Sequence, residues 1–137
     1  MAYLLMVDDN PQTQAYLERI VRHRTRHELG FARSGKEGVD SIVERRPDLI
    51  FLDLFLPGGM DGFELFGMLR GHPATASIPI LIHTAVPLDE VTLIRLRRVQ
   101  HDGFVEFPVA ASDLVHLVEA ALQRRQTGVR RWQPPTA

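Results

Sequence analysis

The stretch Leu49-Ile50-Phe51-Leu52-Asp53 is apolar at every position except the last. A strand with apolar side chains at successive positions has no polar face to give to water, so it must be covered on both sides, as in a parallel sheet sandwiched between helices. Outward from it, short apolar runs alternate with longer segments of helical period, the pattern of repeated strand–helix units rather than of hairpins. Strands are expected near 3–7, 28–33, 48–53, 78–83 and 103–106, and helices near 11–25, 35–45, 62–70, 88–99 and 112–125. Several helix starts carry their own signals. Asn10 precedes Pro11, an N-cap followed by proline at the first helical position, and Ser34 with Glu37 and Asp61 with Glu64 have the spacing of capping boxes.

Five such units joined by right-handed crossovers give an α/β three-layer sandwich, (βα)5, with a five-stranded parallel sheet in the flavodoxin-like order 2-1-3-4-5. In that order the chain reverses direction between the first and third strands, and ligands sit beyond the carboxyl ends of those two strands. Asp8 and Asp9 end the first apolar run, and Asp53 ends the third. The fold argument, made from periodicity, therefore brings three acids to one crevice.

A chain of 137 residues with 45% apolar residues supports one domain with a real core. It is expected over residues 1–125, with 126–137 as a short basic tail. Cysteine is absent, which excludes disulfides and thiolate metal sites. The N-terminal apolar run is too short for a signal peptide or a membrane span, so a cytoplasmic protein without membrane contact is the expectation. The net charge of −1 is unevenly distributed. Setting aside Arg124, Arg125, Arg130 and Arg131 leaves 12 basic residues against 17 acids, a charge of −5 for residues 1–123. An acidic body of this kind does not call for nucleic acid, and arginines at a Gly- and Pro-containing end read as a solvated terminus.

Singly, Asp8 and Asp9 could just end a strand and cap the next helix, and Asp53 could be a surface acid. Together they repel one another unless a cation lies between them. All the candidate ligands are oxygens, and a few carboxylates that leave room for water and a phosphate suit magnesium better than calcium, which wants a denser cage.

These residues and their neighbours resemble the receiver domains of two-component response regulators over about residues 3–123. The similarity is carried by Val7-Asp8-Asp9-Asn10, Leu52-Asp53-Leu54, Leu56-Pro57, Met60-Asp61-Gly62, Ile82-His83-Thr84-Ala85, Phe104 and Pro108. The resemblance implies that Asp53 accepts a phosphoryl group from a sensor histidine kinase, a phosphotransfer protein or a small phosphodonor. It implies magnesium held by Asp9, Asp53 and the backbone carbonyl of Phe55, with Asp8 acting mainly through water. Thr84 would donate its hydroxyl to a phosphoryl oxygen and act as a switch, Ala85 would leave space for the group, and Phe104 would be the aromatic that changes rotamer. Self-phosphorylation and autodephosphorylation at Asp53 are the only chemistry implied, and the protein is not expected to be an enzyme on other substrates. His83, opposite Thr84 by strand alternation, is expected to point away from the site and to be structural.

The pattern breaks most plainly at one place. Receivers typically carry, before the proline that follows the fifth strand, a lysine that reaches the phosphoryl group; here that position is Phe107. The only lysine in the chain, Lys36, is expected at the start of the second helix, away from the crevice. Loss of a charge-assisted contact of ~1.5–3 kcal/mol weakens phosphorylation without removing its other supports. The alternative is a degenerate receiver that works as a phosphorylation-independent binding module. Two smaller departures are the loop Pro57–Gly62, one residue longer than usual, and Phe55, a bulky residue placed to slow hydrolysis.

Other chemistries fit less well. An aspartyl phosphatase usually places a second acid two residues after its nucleophile, where Phe55 stands. A flavin carrier wants a glycine- and hydroxyl-rich phosphate loop after the first strand, where Asp8-Asp9-Asn10 would repel phosphate. Residues 124–137 are too few for an output domain, so a stand-alone receiver is expected, signalling to a downstream protein partner. Arg95, Arg97 and Arg98 lie among Val91, Leu93, Ile94, Leu96 and Val99, more apolar residues than one buried stripe requires. A homodimer through the fourth helix, fifth strand and fifth helix is expected from that excess.

Overall fold

The computed structural model describes residues 1–99 and 101–126 of the chain. The elements alternate as β1 (Tyr3–Val7), α1 (Pro11–Arg24), β2 (Glu28–Ala32), α2 (Gly35–Glu44), β3 (Leu49–Asp53), α3 (Gly62–Arg70), β4 (Ile80–Thr84), α4 (Glu90–Arg97), β5 (Gly103–Glu106) and α5 (Ala111–Gln126). All four strand pairings are parallel and the order is β2-β1-β3-β4-β5, so the flavodoxin-like sandwich read from the sequence is the fold. The basic tail lies outside the described residues apart from Gln126, which ends α5.

Strand alternation divides the core into two layers. Leu4, Met6, Leu49, Phe51, Leu81 and Val105 pack with Leu17, Ile20 and Val21 of α1 and Leu114 and Val118 of α5. The intervening residues Leu5, Val7, Ile50, Leu52, Ile80 and Ile82 pack with Ile42 of α2, Leu65, Phe66 and Leu69 of α3 and Leu96 of α4. Each layer removes large apolar side chains from water, at about 1.5–3 kcal/mol for a fully buried one.

The caps hold as expected, with one variation. Asn10 accepts from the Gln12 and Thr13 amides with Pro11 at the helix start, and Asp61 with Glu64 forms a complete capping box. Ser34 accepts from the Glu37 amide, but the Glu37 carboxylate reaches one residue further back, to the Arg33 amide. β4 runs 80–84 instead of 78–83. Pro79 has no N–H for the ladder, and strand pairing begins where the Ile80 amide donates to Asp102 Oδ2 at 2.7 Å. α4 starts at Glu90 because Asp89 caps it, accepting from the Thr92 amide at 2.8 Å.

Asp102 also accepts from Arg70 Nη2 at 3.0 Å, with its side chain almost entirely buried, while its own amide donates to the Ile80 carbonyl at 2.8 Å. It thereby pins the start of β5 to β4. Asp102→Asn is expected to cost about 1.5–3 kcal/mol in urea unfolding, since the charge paired with Arg70 is lost inside the protein.

Candidate phosphoacceptor site

Parallel pairing sets side chains in rows across the sheet. Val7 pairs with Leu52 and Asp53 pairs with His83, so Asp8, Asp53 and His83 follow one another on the same face, just past Met6, Phe51 and Leu81. One polar atom from each of these three side chains lies within 4.8 Å of the others. Asp8 is 2% exposed and His83 is 1% exposed.

Asp8 is held by several bonds. Its Oδ1 accepts from the Asn10 amide at 2.8 Å, its Oδ2 lies 2.8 Å from His83 Nε2, and its carbonyl accepts from Gln14 Nε2 at 2.6 Å. Asp53 Oδ1 accepts from the Phe55 amide at 3.1 Å, which sets that peptide against the carboxyl. Burial, followed by the charge of Asp8, pushes the Asp53 carboxyl up to about 7; the Phe55 amide opposes this, and Asp9 and a hydrogen bond to the Asp8 side chain add to it. Burial first and the neighbouring acids second thus both disfavour a charged Asp53 in this crevice.

His83 corrects the sequence expectation. It does lie opposite Thr84, but the acids stand on the His83 face. The error lay in the register: nothing in the sequence says that Asp53 pairs with His83 rather than with Thr84.

The remaining candidates are placed as follows. Asp9 is exposed, outside the three-residue cluster, yet close enough for Asp53 to feel its charge. Thr84 is buried at the end of β4 with its hydroxyl turned to its own loop, donating to the Val86 carbonyl at 3.1 Å and accepting from the Val86 amide at 3.2 Å. Phe104 pairs with Ile82 and packs, partly buried, against the second core layer. Gly58 adopts φ +88°, a left-handed turn open to glycine, in the lengthened loop 57–62. Lys36 is exposed on α2.

Phe107 is buried in the first core layer. Its ring lies 4.9 Å from the His83 ring and meets the edge of Tyr16 at 5.5 Å. The Tyr16 hydroxyl donates to the Val109 carbonyl and accepts from the Val109 amide at 3.0 Å, tying α1 to the loop after β5. Tyr16, Phe107 and His83 thus form a stack that ends on Asp8. The stack is not visible from sequence spacing, because its members come from α1, β4 and the β5–α5 loop.

The donor set fits a divalent cation: two carboxylates turned to one crevice, a third acid beside it, and a carboxyl whose charged form burial and its acidic neighbours disfavour.

Residues 4–119 match the response regulator receiver domain family. The chain is 34% identical over 124 residues to the transcriptional regulatory protein AfsQ1 of Streptomyces coelicolor, covering 90% of this chain and 52% of that protein. It is 28% identical over 122 residues to the protein PilH of Pseudomonas aeruginosa, covering 89% of this chain and 98% of PilH. The chain thus spans about half the length of AfsQ1 and nearly all of PilH. Among solved structures, the signal receiver domain of a signal transduction histidine kinase from Syntrophus aciditrophicus superposes with a TM-score of 0.82 at 28% identity, over 100% of this chain and 98% of that one. The fold, the acid-lined crevice at its switch point and the family match agree: the chain belongs to the response regulator receiver domain family, the signalling module of two-component systems.

Proposed function

We propose that Asp53 is the phosphoacceptor of this receiver and that magnesium supports the transfer. The observation that carries this reading is the Asp53 carboxyl at the end of β3, gathered with Asp8 in one cluster and raised to about 7 by burial and by the charges of Asp8 and Asp9. Asp9, Asp53 and the Phe55 carbonyl would hold the ion directly, and Asp8 through water. When bound, magnesium supplies charge neutralisation, keeping Asp53 ionised and screening the phosphoryl oxygens.

Asp53 Oδ attacks phosphorus, a new O–P bond forms, and the P–N bond of a phosphohistidine or the P–O bond of an acyl phosphate breaks, its electron pair leaving with the donor. The Phe55 amide, already on Asp53 Oδ1, aligns the carboxyl. Thr84 turns its hydroxyl from Val86 to a phosphoryl oxygen, and Phe104 follows into the space so released. The donor is a sensor histidine kinase or phosphotransfer protein in the cytoplasm, and the output is contact with a downstream protein.

Incubation with magnesium and acetyl phosphate, followed by intact mass, tests the reading. One phosphate-sized gain that disappears with a chelator is expected. Magnesium binding with no gain would overturn phosphorylation and favour the binding-module alternative, for which the specific observation is Phe107 in the lysine position.

Phe55 is half exposed beside the acceptor, where it shields the aspartyl phosphate from attacking water. Phe55→Asn is expected to hasten loss of phosphate several-fold, followed by mass after donor removal; an unchanged half-life would contradict this shielding.

Helix α4 buries only Leu96 and leaves Val91 74% and Ile94 49% exposed, while Arg95 lies 4.1 Å over the Phe63 ring. This uncovered apolar surface supports dimerisation through α4, β5 and α5. Light scattering with beryllium fluoride and magnesium should show a dimer, and a monomer both with and without the mimic would count against it.

A further inference from the structure

His83 has no part in the chemistry above, yet it occupies the centre of the site. Its ring is fully enclosed, with one face against Phe107 and Nε2 2.8 Å from Asp8 Oδ2. Nδ1 is buried and, among the described residues, has no hydrogen-bond partner. A leucine at the end of β4 would fill this space without leaving a buried nitrogen unsatisfied, so packing alone does not account for an imidazole here. Asp8 is an acceptor, which assigns the proton to Nε2 and aims one N–H donor at the carboxylate cluster. The loop after β5 brings no donor of its own to this face: position 107 is a phenylalanine whose ring backs the imidazole and fixes its plane.

The three side chains each place an atom within 4.8 Å of the other two. A phosphoryl oxygen on Asp53 stands two bonds beyond the carboxylate oxygen, far enough to close a gap of that size to hydrogen-bond range. We propose that His83 is a phosphoryl-binding residue of this receiver: Nε2–H holds Asp8 while Asp53 is unmodified, and donates to a phosphoryl oxygen once Asp53 carries one. Phe107 is its positioning residue. The proposal rests on Asp53 being the phosphoacceptor, and it deepens that reading by supplying the nitrogen donor from β4.

The test uses the full chain with magnesium, reading acetyl phosphate incorporation by mass over a range of donor concentrations and beryllium fluoride affinity by calorimetry. His83→Leu is expected to lower the maximal incorporation rate by about tenfold and to weaken beryllium fluoride binding by a similar factor, the effect of losing one hydrogen bond in a dry site. His83→Gln, which keeps an N–H donor, should retain most of both. Adding Phe107→Lys to His83→Leu should restore binding, because a lysine at 107 reaches the same face. In wild type labelled with nitrogen-15 at histidine, the His83 Nε2 resonance should move on addition of beryllium fluoride, a measurement that does not depend on any variant folding. A wild type that takes up phosphate while His83→Leu matches it in rate and affinity would overturn the proposal and leave the acceptor reading intact. So would an unmoved Nε2 resonance, or a loss in His83→Leu confined to magnesium affinity. A wild type that takes up no phosphate on Asp53 would overturn both.

Discussion

Asp53→Asn is expected to end phosphate incorporation altogether and, in the same protein, to raise the stability of the metal-free fold at pH 8. The first follows because an amide cannot replace the carboxylate nucleophile, and the second because asparagine carries no titrating group. The Asp53 carboxyl is raised from 3.8 to about 7 in the folded protein, chiefly by burial and next by Asp8. A group whose folded value is raised contributes stability that is fully present below its unfolded value and is lost as pH rises through its folded value. Metal-free wild type therefore loses stability between about pH 4 and pH 7 on account of this residue, whereas asparagine does not titrate. The shift alone corresponds to about 4 kcal/mol. Because Asp53 is only partly enclosed, solvent screening brings the expected gain at pH 8 down to about 1–2 kcal/mol. Urea unfolding in a chelator at pH 5.5 and pH 8 measures it: the advantage of Asp53→Asn should grow with pH, and magnesium should then stabilise wild type more than the variant. Equal advantage at both pH values would mean that burial and Asp8 do not raise the Asp53 carboxyl in the folded protein.

Gly62→Ala is expected to damage fold and site together. A Cβ at Gly62 would lie 2.3 Å from the Asp53 carbonyl oxygen and 2.7 Å from Leu54 Cα, both backbone atoms with no rotamer to escape into. The Gly62 amide donates to the Leu54 carbonyl at 3.1 Å, so the first residue of α3 is pressed directly against the end of β3. Making room means moving Asp53 or the helix, at a cost of about 3 kcal/mol or more. Phosphate uptake should fall at least tenfold even at temperatures where the variant stays folded. Two other glycines serve as controls. Gly59 has open space around its Cβ position and should tolerate alanine, and Gly67, equally open in mid-helix, should gain about 0.5–1 kcal/mol. If Gly62→Ala melted with the controls, the close approach of α3 to β3 would not be what fixes Asp53.

The sequence made the layers of this fold legible because its apolar runs are short, evenly spaced and bounded by caps. Asn10, Ser34 and Asp61 mark helix starts through bonds to amides two or three residues away, and such local chemistry survives in a linear reading. The acids were legible for the same reason, since strand ends and strand order suffice to bring Asp8 and Asp53 together. His83 departs from the expectation because its place depends on the register between β3 and β4, which no spacing along the chain encodes. Phe107 was recognised as a missing lysine, but its contact with His83 joins positions that only the folded sheet brings into line. The departure and the unexpected histidine are two sides of one contact.

The most direct test of the central claim is to locate the phosphoryl group. The protein treated with magnesium and acetyl phosphate should be reduced with borohydride, digested and sequenced by mass. A single modified residue at Asp53, absent in Asp53→Asn, is the predicted result. An unmodified Asp53 in folded, magnesium-bound protein, or a phosphate carried elsewhere, would contradict the account.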